Sequence, residues 1–111
     1  MAFDVITPNK LGQGAVGITP ASLYTVPLLT RAIVKDIDVV NTTAVDKLIR
    51  IYLVPDGDSA GTANALIYDL TIPANGNLQW NGTQVLNEGD TVQFEADAVG
   101  CTAHISGGEA T

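Results

Sequence analysis

Basic residues are scarce in this chain: five lysines and arginines stand against twelve aspartates and glutamates, for a formal net charge of −7. No stretch gathers cations into a patch able to neutralise a row of phosphates, which excludes nucleic acid as a partner. The same sign opposes attraction to anionic membrane surfaces. Cysteine is nearly absent as well. Cys101 stands alone, so no internal disulfide forms and stability has to come from packing or assembly. No apolar run approaches the length of a membrane span. The opening MAFDVITPNK lacks the basic-then-apolar order of a signal peptide, so synthesis and folding in the cytoplasm are expected. Charged residues make up only 15% of the chain and hydrophobic ones 46%, which excludes disorder by composition. The surface is therefore rich in Thr, Asn, Gly, Ser and Ala, side chains that cost little to desolvate against another protein.

Helical periodicity is the remaining absence. Val, Ile and Thr dominate the apolar segments, and no capped window holds a 3.6-residue period. What is present is short β-branched runs separated by turn residues, the spacing of a sandwich or barrel. At 111 residues one core is expected. The fold class read from this pattern is all-β: an antiparallel two-sheet β-sandwich, jelly-roll or Ig-like, with seven to eight strands and an extended N-terminal arm.

The arm is residues 1–20 and the sandwich residues 21–111. Pro8, Gly12, Gly14, Gly17 and Pro20 interrupt every regular period in the first stretch, yet Phe3, Val5, Ile6, Leu11, Val16 and Ile18 make it too apolar for a solvated tail. An arm lying on a neighbouring protein explains both features, with Phe3, Val5, Ile6, Leu11 and Val16 as the partner-contact residues.

Within the sandwich, RAIVKDIDVVN (residues 31–41) puts Ala32 and Val34 on one parity and Ile37 and Val39 on the other, which a β-bulge near Lys35 and Asp36 reconciles. Residues 48–54 place Ile49, Ile51 and Leu53 on one face, with Arg50 and Tyr52 opposite. A long loop, DGDSAGTAN, precedes the alternating strand of residues 65–72. Leu78 and Trp80 form a short strand, Asn81 and Gly82 supply a hairpin dipeptide, and residues 84–86 return. Val92, Phe94 and Ala96 share a face, and a last strand covers residues 101–105. Trp80, Phe94, Tyr68, Ile51 and Leu53 are the expected core, while Tyr52 is the tyrosine expected at the surface.

The constellations that carry chemistry elsewhere are incomplete here. Asp56, Asp58 and Gly61 open like a calcium loop, but the closing Glu is replaced by Ile67, so a solvated turn is expected and no metal. His104 and Cys101, the only residues of their kinds, fall on opposite faces of a strand and make poor catalytic partners; Cys101 reads as a buried small hydrophobe. Asp69 and Glu95 have the residue types of a glycosidase pair but alternate outward, where a raised pKa is hard to maintain. No catalytic or cofactor-binding residue is assigned, and the chain is not expected to be an enzyme. The sequons at Asn41 and Asn81 are chance products of a Thr- and Asn-rich chain.

The segments KLGQ, SLYTVP, VVNTT, IYLVPDG, ALIYDLTIPANG and VLNEGDTVQFEA, in that order, resemble small β-sandwich structural proteins encoded among the virion genes of tailed bacteriophages and prophages. The likeness runs from about Lys10 to Ser106. It implies a virion component made in the host bacterial cytoplasm: a capsid decoration or cement protein held to the major capsid or tail protein by its arm and a sandwich edge. It also implies a homo-oligomer, a trimer being one form such proteins take. The competing expectation is a tail, collar or fibre-associated module that grips a host-surface carbohydrate or receptor through loops such as residues 56–64.

Overall fold

The computed structural model describes residues 5–111. Eight strands account for most of them: β1 (Ile6–Val16), β2 (Ala21–Thr25), β3 (Arg31–Asn41), β4 (Lys47–Val54), β5 (Ala65–Ile72), β6 (Asn77–Leu86), β7 (Thr91–Ala96) and β8 (Cys101–Ala110). The one helical element among the described residues is a 3-10 turn at Thr62–Asn64. The strands form two four-stranded antiparallel sheets, ordered β1-β8-β3-β6 and β2-β7-β4-β5. All-β architecture with two facing sheets is what the β-branched, period-two pattern dictates.

The core is the set of inward positions from both layers. Val34, Ile37, Val39, Ala103 and Ile105 of the first sheet face Ile49, Ile51, Val92 and Phe94 of the second, all of them buried. The expected bulge in β3 is present: its register to both neighbours shifts between Val34 and Asp36, which keeps both Val34 and Ile37 inward. A buried polar residue, Asn41, ends β3. Its side-chain nitrogen donates to the carbonyls of Val45 at 2.8 Å and Ile72 at 3.1 Å, and its oxygen accepts from Thr43 N and Oγ1. The sequon at this position is thus a structural hub, since the amide is consumed inside the fold.

Four expectations are corrected. Residues 6–16 are not a separate arm: they pair with β8 along their whole length, and Leu11 and Val16 are buried in the protein's own core. The glycines that break the period are what make this possible. A Cβ on Gly12 would lie 2.3 Å from the carbonyl oxygen of Leu23, so only glycine lets β1 close against β2 of the other layer. Second, Leu78, Trp80 and residues 84–86 belong to one continuous strand. Neither Asn81 nor Gly82 takes the positive φ that a tight hairpin turn requires; the pairing to β3 simply skips residues 82 and 83. Third, the two tyrosines exchange places. A bulge in β5 at Asp69, with φ of 55°, turns Tyr68 outward to 46% exposure, whereas Tyr52 is buried on the outer side of β4, against which the 3-10 turn packs. Fourth, the last strand continues to Ala110, so the C-terminal GGEA fills the centre of the first sheet between β1 and β3.

Candidate interaction surfaces

Two outer surfaces bring together side chains from several strands. On the second sheet, Arg50 stands beside Glu95 in the β4–β7 ladder, and the β5 bulge brings Asp69 to its other side. The guanidinium donates to both Asp69 oxygens, at 2.6 and 3.2 Å, lies 3.7 Å from Glu95, and stacks 4.2 Å above the Tyr68 ring. Tyr52 donates its hydroxyl to Glu95 at 2.7 Å. The Arg50 hydrogen bonds hold the Asp69 carboxyl below the usual range, opposite in direction to the raised value a general acid needs at neutral pH. Burial, then the hydrogen bond to Glu95, pushes the Tyr52 phenol up. The expected outward placement of Asp69 and Glu95 is seen, with Arg50 as the group that joins them. Nothing along the sequence marks Arg50 as central, because the join needs both the strand register and a one-residue bulge. Beside this network runs a groove of about 370 Å³, lined by Ile18, Leu48, Arg50, Asp69, Glu95 and Asp97.

On the outer face of the first sheet, Pro8, Gly108, Ile33 and Val85 stand opposite one another across all four strands. This apolar row borders a second groove, about 300 Å³, whose lining includes Ile6, Pro8, Ile33 and Lys35. Of the expected partner-contact residues, Val5 and Ile6 are exposed at 59% and 58%, and Ile6 lines the groove. Leu11 and Val16 are unavailable, being buried. Phe3 lies outside the described residues. The row was invisible along the chain because its four members come from four strands.

The remaining constellations do not converge. Cys101 is buried, and burial pushes its thiol up, away from the reactive thiolate. His104 alternates outward opposite Asp38, but among the described residues no hydrogen bond joins it to Asp38 or to Ser106, as a relay would need. Asp36 and Asp38 each bury one carboxylate oxygen without a partner. Among the described residues no three His, Cys, Asp or Glu side chains are grouped to hold a metal ion. The loop at residues 55–64 is tied to itself, Asn64 donating to Ser59 O and accepting from Gly61 N. Comparison with protein-family models, with curated proteins and with solved structures returns no match.

Proposed function

We propose that the protein is a structural assembly module of a bacteriophage particle, most specifically a capsid decoration protein, and that it attaches through the outer face of the first sheet. The observation that carries this reading is the apolar row of Pro8, Gly108, Ile33 and Val85, with exposed Val5 and Ile6 at its margin. Within the row Pro8 and Val85 are exposed, Ile33 is half-buried and Gly108 is buried; clustered apolar surface on a small domain marks a contact site. Lys35, exposed beside the row, adds a cation that suits an acidic partner surface.

Three further features support it. The order β1-β8-β3-β6 facing β2-β7-β4-β5 is jelly-roll connectivity, one of the two sandwich topologies expected and one that viral capsid domains use. The ordered segments from KLGQ to VLNEGDTVQFEA resemble virion sandwich proteins. The low charge content gives a surface cheap to desolvate. Attachment then uses a rigid strand, β1, rather than a flexible tail, so less entropy is lost on docking.

The test uses particles of the encoding phage made without this protein. Purified wild-type protein added back cosediments with them, and Ile33→Asp, folded by circular dichroism, binds at least about 2 kcal/mol more weakly because a charge replaces the centre of the row. Equal cosedimentation of the two proteins overturns the reading. Glycan capture that depends on residues 56–64 would favour the tail-module alternative instead.

A further inference from the structure

Four strands end the two sheets: β1 and β6 in the first, β2 and β5 in the second. An edge strand offers a free row of N–H and C=O groups, and proteins blunt it with charge, proline, bulges or shortness. All four edges carry at least one such device, and β6 carries the fewest. β1 contains Pro8 and Lys10, and its register breaks between Lys10 and Gly12. β2 is only five residues long, with a break between Ser22 and Tyr24. β5 bulges at Asp69, whose carboxylate is committed to Arg50.

β6 is different. NLQWNGTQVL has neither a charged residue nor a proline over ten residues. Its one device is the bulge at Gly82 and Thr83 opposite Lys35, and this leaves the alternation intact, with Leu78, Trp80, Gln84 and Leu86 facing inward. The rim it forms with β5 is also the open one. At the opposite rim Gly12 brings β1 into contact with β2, whereas at this rim Leu66, Ile67, Leu78 and Trp80 pack on the core while staying only partly buried. Trp80 is the sole tryptophan, the residue type most enriched where binding energy concentrates.

We infer that the β6 rim is the contact with a second copy of this chain, β6 pairing antiparallel with β6 across a twofold axis near Asn81 and Gly82. An antiparallel edge is its own complement, which is what an isologous contact requires. Two chains of net charge −7 repel, and the strand with no charged residue of its own is where they meet without opposing carboxylates; the nearest cation, Lys35, bonds the Thr83 hydroxyl at 2.9 Å. A ten-residue strand is about 33 Å long and a two-layer edge about 20 Å deep, so the pair covers about 1,300 Å², the lower part of the stable-interface range. The contact leaves Pro8, Gly108 and Ile33 of the outer-face row free, with only Val85 on the paired strand, and it stands whether or not the protein coats a particle.

Sedimentation equilibrium of the full chain across the micromolar range is expected to give twice the 11.5 kDa chain mass. Thr83→Pro removes a backbone N–H at a position that the β3 register skips, although the Thr83 hydroxyl accepts from Lys35 Nζ at 2.9 Å, and weakens association by roughly 30-fold or more. Should that variant fail to fold, cysteine cross-linking decides: cross-strand neighbours near the axis sit about 4.5–5.5 Å apart at Cβ. Asn81→Cys or Thr83→Cys then gives a disulfide-linked pair on mild oxidation, while Thr7→Cys on the β1 edge does not. Ile33→Asp, the attachment variant, leaves the mass unchanged, which separates the two proposals. A chain that sediments singly throughout, a threefold mass, or cross-linking through Thr7→Cys alone overturns the inference.

Discussion

Tyr24 links the two sheets through a single polar contact. It is buried on β2, and its hydroxyl donates to Glu109 Oε2 on β8 at 2.6 Å, while Asn9 of β1 donates to the other carboxylate oxygen at 2.8 Å. Burial, then the hydrogen bond to this carboxylate, holds the phenol proton well past its ordinary value. An unfolded tyrosine releases its proton near pH ~10 and the folded one keeps it, so the unfolded state gains as pH rises. Stability measured by urea unfolding is therefore expected to be intact up to about pH 9 and to fall above about pH 10. Tyr24→Phe should show a shallower fall; an identical alkaline slope would remove Tyr24 as the cause. Such residue-level roles were the least legible part of the sequence. Tyr68 was assigned to the wrong environment because a bulge at Asp69 in a strand whose two parities are both apolar leaves no mark on periodicity, and Tyr52 because the 3-10 turn that packs on its side of β4 lies beyond a loop.

At the scale of elements the sequence was more readable. In β3 the conflict between the Ala32/Val34 and Ile37/Val39 parities located a bulge, because only one face of that strand suits the core. β7 alternates cleanly and was legible for the same reason, as was β4 as far as Ile51. β1 was not, since its glycines look like breaks until it is known that they let it approach β2, and its apolar residues split between core and surface. This has a measurable consequence. Removal of residues 1–16 takes Leu11 and Val16 from the core, about 3–6 kcal/mol of apolar burial, and bares the edge of β8. The truncated chain is expected to aggregate or to unfold at much lower urea than the intact one. A soluble truncation of equal stability would restore the view of this segment as a detachable arm.

For the whole molecule, the elements build a two-layer body whose outer faces differ in character. The second sheet presents an ion-pair network that satisfies itself: Arg50 is shared between Asp69 and Glu95, and Tyr52 completes it. Such a network at the surface adds little stability; its polar members already have partners, while Leu48 and Tyr68 beside it are 38% and 46% exposed. The first sheet presents an apolar row with no covering element among the described residues. The unpartnered apolar row is why the proposed attachment is placed on the first sheet. It could not be read from composition, which gave the neutral surface but not its arrangement. Amide hydrogen exchange of the protein free and bound to particles tests this most directly. Slowed exchange on binding is expected in β1, at the edge of the attachment face, with the loop at residues 55–64 unchanged. Slowing confined to that loop, or to the β4–β5 surface around Arg50, would contradict it.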